Sequence, residues 1–305
     1  EKKREVDRQL ALIELRGTEG FLQVSIDLFG VADAELYAAA RHILEVVAAD
    51  DSAASSLVGV AHVVAAARAQ LAYYRKQRPD FAARVVRTDD IVAGLMVSNG
   101  NLLVSNDVCI PKVRLDALLH HEIGTHLLTR YNGARQALEQ LGYGLAHYDE
   151  LQEGLGVLSE YLAGNLSGLR LRTLAARVVA VRMLTDGASF RDVFEAMRTD
   201  YGFGDHAAFT IAVRVFRGGG LTKDIVYLRG LRDLLAYLRE GNPFEPLFLG
   251  KFSLSQLTAL RELGKAGRLL PPTLLPSYLH NAASGQRLSE CRDTPLDRLY
   301  QRLVA

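Results

Sequence analysis

Cysteine is scarce in this chain. Its 305 residues hold two, Cys109 and Cys291, far apart and in no Cys-x-x-Cys pair. That excludes a disulfide framework and a cysteine-held zinc site. No apolar run approaches the roughly 18 residues that a membrane helix needs, because charges interrupt every Leu/Val/Ala-rich stretch. A signal-peptide pattern is missing too, which makes the cytoplasm the expected location. Charge of one sign is also lacking: 36 Lys+Arg face 35 Asp+Glu, a formal net charge of +1. The basic residues are scattered, so the chain carries no electrostatic footprint for a nucleic acid. Internal repeats, low-complexity segments and clear linkers are absent. What remains is a soluble globular composition, 49% hydrophobic and 23% charged, in a chain long enough to bury about 75% of its unfolded surface. It begins at Glu1, without Met and inside a segment that reads as helix, so further residues are expected to precede it.

The pattern is helical from Arg4 to about Arg78, notably over Ala34–Val47 and Leu57–Arg75. Three glycines break Gly17–Gly30, which reads as loop or short strand. The β signal is confined to Arg84–Arg87, Ile91–Val97 and Leu102–Ser105, with Asn99-Gly100 supplying a tight hairpin turn. Pro111 opens a helix that Asn132-Gly133 closes, and another helix begins at Asp149. Helices are expected over Leu171–Leu184, Phe190–Thr199, His206–Phe216, Lys223–Glu240 and Ser253–Leu263, with irregular structure from Pro271 to Asp293. The expectation is a single α+β domain, mostly helical with one small sheet. Its parts are a helical 1–80, a sheet with two functional helices over 81–165, and a helical 166–305.

Residues 120–126 read His-His-Glu-Ile-Gly-Thr-His, inside the helix that Pro111 starts. The ordinary His-Glu-x-x-His signature puts two imidazoles one turn apart. Here Thr125 stands where the second His would be, and His126 follows. On an ideal helix His121 and His126 lie roughly 140° apart, too far for one ion. A single π-turn brings them to one face, and Gly124 offers that distortion little resistance. By chance the six-residue pattern is expected only about 0.01 times in such a chain, which favours a built metal site over two incidental histidines. Zinc hydrolases add a third protein ligand. The candidate is Glu153 in Leu-Gln-Glu-Gly-Leu-Gly, 27 residues after His126 on an amphipathic helix. The plainer reading of that helix is a solvated face of Glu150, Glu153 and Glu160, with Asp149 and Gln152 as a capping box.

His-Glu-Ile-Gly-Thr-His followed by Leu-Gln-Glu-Gly-Leu resembles the bacterial "QEGLA motif" proteins, labelled flavohemoglobin expression-modulating, and their relatives the eukaryotic tubulin tyrosine carboxypeptidases. Arg16-Gly17-Thr18-Glu19-Gly20-Phe21, Arg217-Gly218-Gly219, Thr222-Lys223-Asp224 and Tyr227-Leu228-Arg229-Gly230 extend the similarity from about residue 10 to residue 240. Gly156 stands where the motif has Ala, read as a harmless exchange of one small residue for another. The resemblance implies a zincin-like metallopeptidase fold, one Zn2+ ion bound by His121, His126 and Glu153, and Glu122 as the catalytic glutamate.

That chemistry is coherent. Zinc lowers the pKa of bound water and polarises a carbonyl, while Glu122 acts as general base on the zinc-bound water. Tyr227 is the expected donor to the oxyanion. Arg217, Arg214 and Lys223, in that order, are candidates to grip a substrate's terminal carboxylate. Leu102–Ser105 is expected to be an edge strand that pairs with substrate backbone. His120 and the remaining histidines read as structural, and Arg170, Arg172, Arg177 and Arg182 as a solvated face. The expected partner is the C-terminal tail of a peptide or protein, with neither nucleic acid nor membrane. The competing readings are a regulatory protein that keeps the fold without turnover, and a helical interaction module.

Overall fold

Alanine, leucine and arginine, all good helix formers, dominate the sequence, and helix dominates the computed structural model, which describes residues 1–48 and 56–300. The chain divides into two compact units, one from Glu1–Ser52, Ser167–Arg232 and Pro295–Ala305, the other from Ala53–Leu166 and Asp233–Thr294. The first stretch supplies α1 (Lys2–Glu14), α2 (Gly20–Phe29) and α3 (Ala34–Val46). The second supplies β1 (Leu57–Gly59), α4 (Val60–Gln77), β2 (Val85–Thr88), β3 (Leu95–Ser98), β4 (Asn101–Ser105) and β5 (Cys109–Pro111). It continues through α5 (Lys112–His121), a π-helical segment Glu122–Leu127 and α6 (Leu128–Ala134) to α7 (Gln140–Tyr143) and α8 (Asp149–Leu162). Then come α9 (Gly168–Thr185), α10 (Phe190–Thr199), α11 (Asp205–Phe216), α12 (Ile225–Arg239), α13 (Leu257–Lys265) and α14 (Ala282–Glu290).

In the first unit α3 packs on α9 through Leu36, Ala40 and Ile43, which recur at helical spacing and are buried. The expected loop over Gly17–Gly30 is instead α2. Its glycines punctuate the ends: Gly17 and Gly30 have positive φ, and the interior after Gly20 is glycine-free. The expected solvated arginine face fails at Arg172 and Arg177, while Arg182 is partly exposed and pairs with Asp186. Arg172 is buried and donates to the carbonyls of Leu44 (2.6 Å) and Val47 (2.7 Å), satisfying the end of α3. Arg177 lies 3.6 Å from the buried Asp224.

In the second unit β4 is the middle strand of the order β2-β4-β3, parallel to β2 and antiparallel to β3. Asn99 and Gly100 both take positive φ, 47° and 75°, as a two-residue hairpin turn requires. Leu102–Ser105 is therefore no edge strand: β2 occupies one side and β3 the other, and β3 is left at the rim. Sequence alternation reports which face a strand buries but not its neighbours. Leu57–Gly59, read as helix, pairs with β5 in register Leu57↔Pro111, which delivers the chain into α5. The segment expected to be irregular after Pro271 contains α14, whose start the Asn281 side chain caps by accepting from Ala283 N–H.

Candidate metal centre

Leu115, Leu119, Ile123 and Leu127 are all buried in one apolar core with α4 and β4. Their four-residue spacing drifts about 40° per step on an α-helix. The widened turn at Glu122–Leu127 takes back part of that drift. The same turn brings the imidazoles of His121 and His126 together, ring centroids 5.1 Å apart. Donor atoms of His121, Glu122 and His126 lie within 4.8 Å of one another.

Glu153 arrives from α8. Its Oε2 is 3.4 Å from His121 Nε2 and 3.8 Å from His126 Nε2. The far side of each ring is held as well. His121 Nδ1 lies 3.1 Å from Oε1 of the fully buried Glu160, whose Oε2 accepts from Arg114 Nη2 at 3.3 Å. His126 Nδ1 lies 3.4 Å from Gln152 Oε1, which also takes the Thr129 hydroxyl at 2.7 Å. With both Nδ1 atoms facing oxygen acceptors, both Nε2 atoms turn toward Glu153, an arrangement typical of ligating histidines.

Burial works against charge on His121, but the hydrogen bonds to Glu153 and Glu160 prevail and hold its pKa up to about 10. Burial also opposes charge on Glu153, yet the two imidazoles keep it well below the usual carboxylate range. Glu122 goes the other way. Burial raises its pKa more than His126, His121 and a hydrogen bond from Val97 N–H on the rim strand β3 lower it. Two neighbouring carboxylates are thus driven apart, one firmly ionised and one closer to neutral pH.

Sequence reading missed Glu160, Arg114 and Thr129. Glu160 had a signal, since it lies seven residues after Glu153 on one helical face, but a solvated face gives the same pattern. The capping box is a correction. Tyr148 precedes α8 without any side-chain cap, and Gln152 is spent on His126 and Thr129. Gly156 is a second correction: a Cβ there would sit 2.5–2.7 Å from three ring atoms of His121, so Ala is no neutral exchange. His120 is buried, edge-on against Tyr278, with Nδ1 3.2 Å from Gln70 Nε2.

The other candidates lie in the first unit. Arg214 closes on Asp224, with Nη2 to Oδ1 at 2.7 Å. Tyr227 lies beneath Arg177, whose guanidinium carbon is 5.6 Å from the ring centroid. Lys223 Nζ is 5.6 Å from the Phe29 centroid. Arg217 starts the tight 3-10 turn Arg217–Gly219.

A family model described as microtubule-associated tyrosine carboxypeptidase matches residues 1–292. The human protein named "Microtubule-associated tyrosine carboxypeptidase 1" is 32% identical over 183 residues, 55% of this chain and 36% of its own length. Its mouse counterpart is 31% identical over 179 residues, 54% and 36% of the two chains. This chain spans about a third of the length of the curated relatives that it matches. No helix among the described residues is long and apolar enough to cross a membrane.

Proposed function

The chain belongs to the microtubule-associated tyrosine carboxypeptidase family, and on that premise we propose that it is a zinc-dependent metallopeptidase, a carboxypeptidase that removes C-terminal residues from a peptide or protein tail. The observation that carries this reading is the convergence of His121 Nε2 and His126 Nε2 on Glu153 Oε2, with Glu122 alongside.

His121, His126 and Glu153 would hold one zinc ion. Two imidazoles and a carboxylate are the donor set of many hydrolytic zinc sites, and the backing of both Nδ1 atoms fits that role. Glu153 suits ligation better than Glu122 because the imidazoles keep it ionised. When bound, the ion supplies a more acidic water and a polarised carbonyl. Glu122, with its raised pKa, takes a proton from the attacking water and passes it to the leaving amine. The Val97 N–H orients that carboxyl from the rim strand. Tyr227 is proposed as a donor to the developing oxyanion.

Elemental analysis tests the centre. Wild-type protein should hold one equivalent of zinc and Glu153→Ala should lose most of it. Glu122→Gln should keep zinc and lose hydrolysis of a free-acid peptide library, followed by mass spectrometry. A wild type that takes up no zinc, or a fully active Glu122→Gln, refutes the proposal.

A further inference from the structure

A carboxypeptidase must recognise a terminal carboxylate, and in the first unit Arg214 is already engaged, on Asp224. Lys251 and Arg130, in the second unit, lie outside the sequence candidates. Lys251 has its backbone clamped on both sides: its N–H donates to Leu141 O at 2.7 Å and its carbonyl accepts from Leu145 N–H at 2.9 Å. Its Nζ stands 5.6 Å from the ring centroid of Tyr148, the residue just before α8 and five before Glu153. Arg130 lies one helical turn past His126, its guanidinium carbon 5.1 Å from the Tyr143 centroid. It also lines a cavity of about 340 Å³ beside the Asn99-Gly100 turn.

Among the described residues neither cation makes an ion pair. Both rest on the faces of tyrosines, which hold a positive charge without neutralising it. Tyr148, on whose ring Lys251 rests, leads directly into α8 and Glu153, and the ammonium feels Arg130 as a like charge and Glu153, Asp149 and Glu122 as opposite ones. Burial and Arg130 together push its ammonium pKa down. Two cations that repel each other in partly buried positions are destabilised until an anion joins them. A carboxylate has the charge for it, and Arg130 can offer a planar fork.

We infer that Lys251, together with Arg130, binds the C-terminal carboxylate of the substrate and so selects chain ends over internal peptide bonds. The inference rests on the metallopeptidase reading for the identity of that anion. A fixed cation beside the centre places the last peptide bond, and no other, next to Glu122.

The test uses binding as well as turnover. Two pools of random pentapeptides, fluorescein-labelled at the N-terminus, differ only in a free or amidated C-terminus. Each is titrated by anisotropy against zinc-loaded Glu122→Gln protein, alone and combined with Lys251→Met, Lys251→Arg or Arg217→Ala, and zinc content is checked in every variant. The free-acid pool should bind about tenfold tighter or more, as expected for a charge-assisted contact. Lys251→Met, which keeps the stem on Tyr148, should bring the acid pool down to the amide pool at unchanged zinc content. Lys251→Arg should keep most of the preference. Equal binding of the two pools, a preference untouched by Lys251→Met, or one lost in Arg217→Ala instead overturns the inference. If the preference follows Lys251 but protein with Glu122 intact hydrolyses neither pool, the carboxylate site stands and the peptidase reading falls. If both pools are hydrolysed equally whatever stands at position 251, the reverse holds.

Discussion

Gly156→Ala is the sharpest single test of the geometry. In α8 the Gly156 backbone lies against the His121 imidazole, and an added Cβ would meet Cε1, Nε2 and Nδ1 at 2.5, 2.6 and 2.7 Å. Ordinary contact begins near 3.4 Å, so the ring must retreat by roughly 0.9 Å, more than the ~0.5 Å that a preorganised site tolerates. Retreat would stretch the 3.1 Å contact between His121 Nδ1 and Glu160 and move Nε2 off its line with Glu153. Losing such support costs about 10- to 100-fold in metal affinity, or roughly 1.4–2.7 kcal/mol. Against this, alanine gains about 0.5–1 kcal/mol over glycine inside a helix. The two effects act on different observables. The metal-free protein should melt close to wild type, while zinc affinity, read by competition with a chromogenic chelator, should fall at least tenfold. Gly264→Ala is the control: it lies in α13 with nothing within 4 Å of an added Cβ, so it should gain stability without touching zinc. If Gly156→Ala binds zinc as tightly as wild type, the imidazole does not sit over Gly156 and the derived ligand geometry is wrong.

Further outcomes follow from buried contacts of the second unit. Glu160→Gln removes the buried charge that faces Arg114 and His121; zinc affinity should drop about 10- to 100-fold. Urea unfolding should show a loss of about 3 kcal/mol, the lower end for a broken buried pair because Arg114 keeps some access to water. Zinc uptake should expel a proton, because the ligand is neutral imidazole and the metal-free protein holds His121 up to about 10. Calorimetry at pH 7 in two buffers of different ionisation heat should report about one proton from this group, with affinity rising about tenfold per pH unit below pH 10; no release refutes the assignment. By the same sign, His121 stabilises the metal-free fold fully below its unfolded pKa of about 6.5, and that contribution is lost as pH rises through about 10. Asn132→Ala should cost about 3 kcal/mol or more in urea, since its amide donates to Phe248 O and Leu274 O, both at 2.8 Å, and accepts from the N–H groups of Thr273 and Leu274.

What could be read in advance was whatever depends on spacing along one element. His121 and His126 are five apart, a distance that an α-helix cannot serve, and the chain answers with a π-helical turn at Glu122–Leu127. Asn99-Gly100 announces a hairpin because few other pairs accept two positive φ values. What stayed hidden depends on which face meets which. Arg172 and Arg177 read as solvent-facing until the end of α3 and Asp224 give them partners. Glu160 reads as solvated until His121 and Arg114 cover it. Lys251 sits in a segment without any motif, and only its backbone pairing with Leu141 and Leu145 sets it against Tyr148, at the start of α8.

The widened turn links these two kinds of information. An unbroken α-helix from Leu115 to Leu127 would rotate the apolar stripe by about 120° over three four-residue steps, carrying Leu127 off the face that Leu115 presents to the core. The π turn keeps Leu115, Leu119, Ile123 and Leu127 all buried while closing His121 on His126. Core packing thus stabilises the distortion that brings the two imidazoles of the candidate metal centre together. Thr125 marks the same compromise. It occupies the position where a regular turn would carry the second histidine, and it is fully buried, its hydroxyl turned back to the His120 carbonyl at 3.4 Å. A histidine at 125 would have to fit that fully buried space. The six-residue motif and the four-residue apolar stripe are therefore one constraint seen from two faces of one helix.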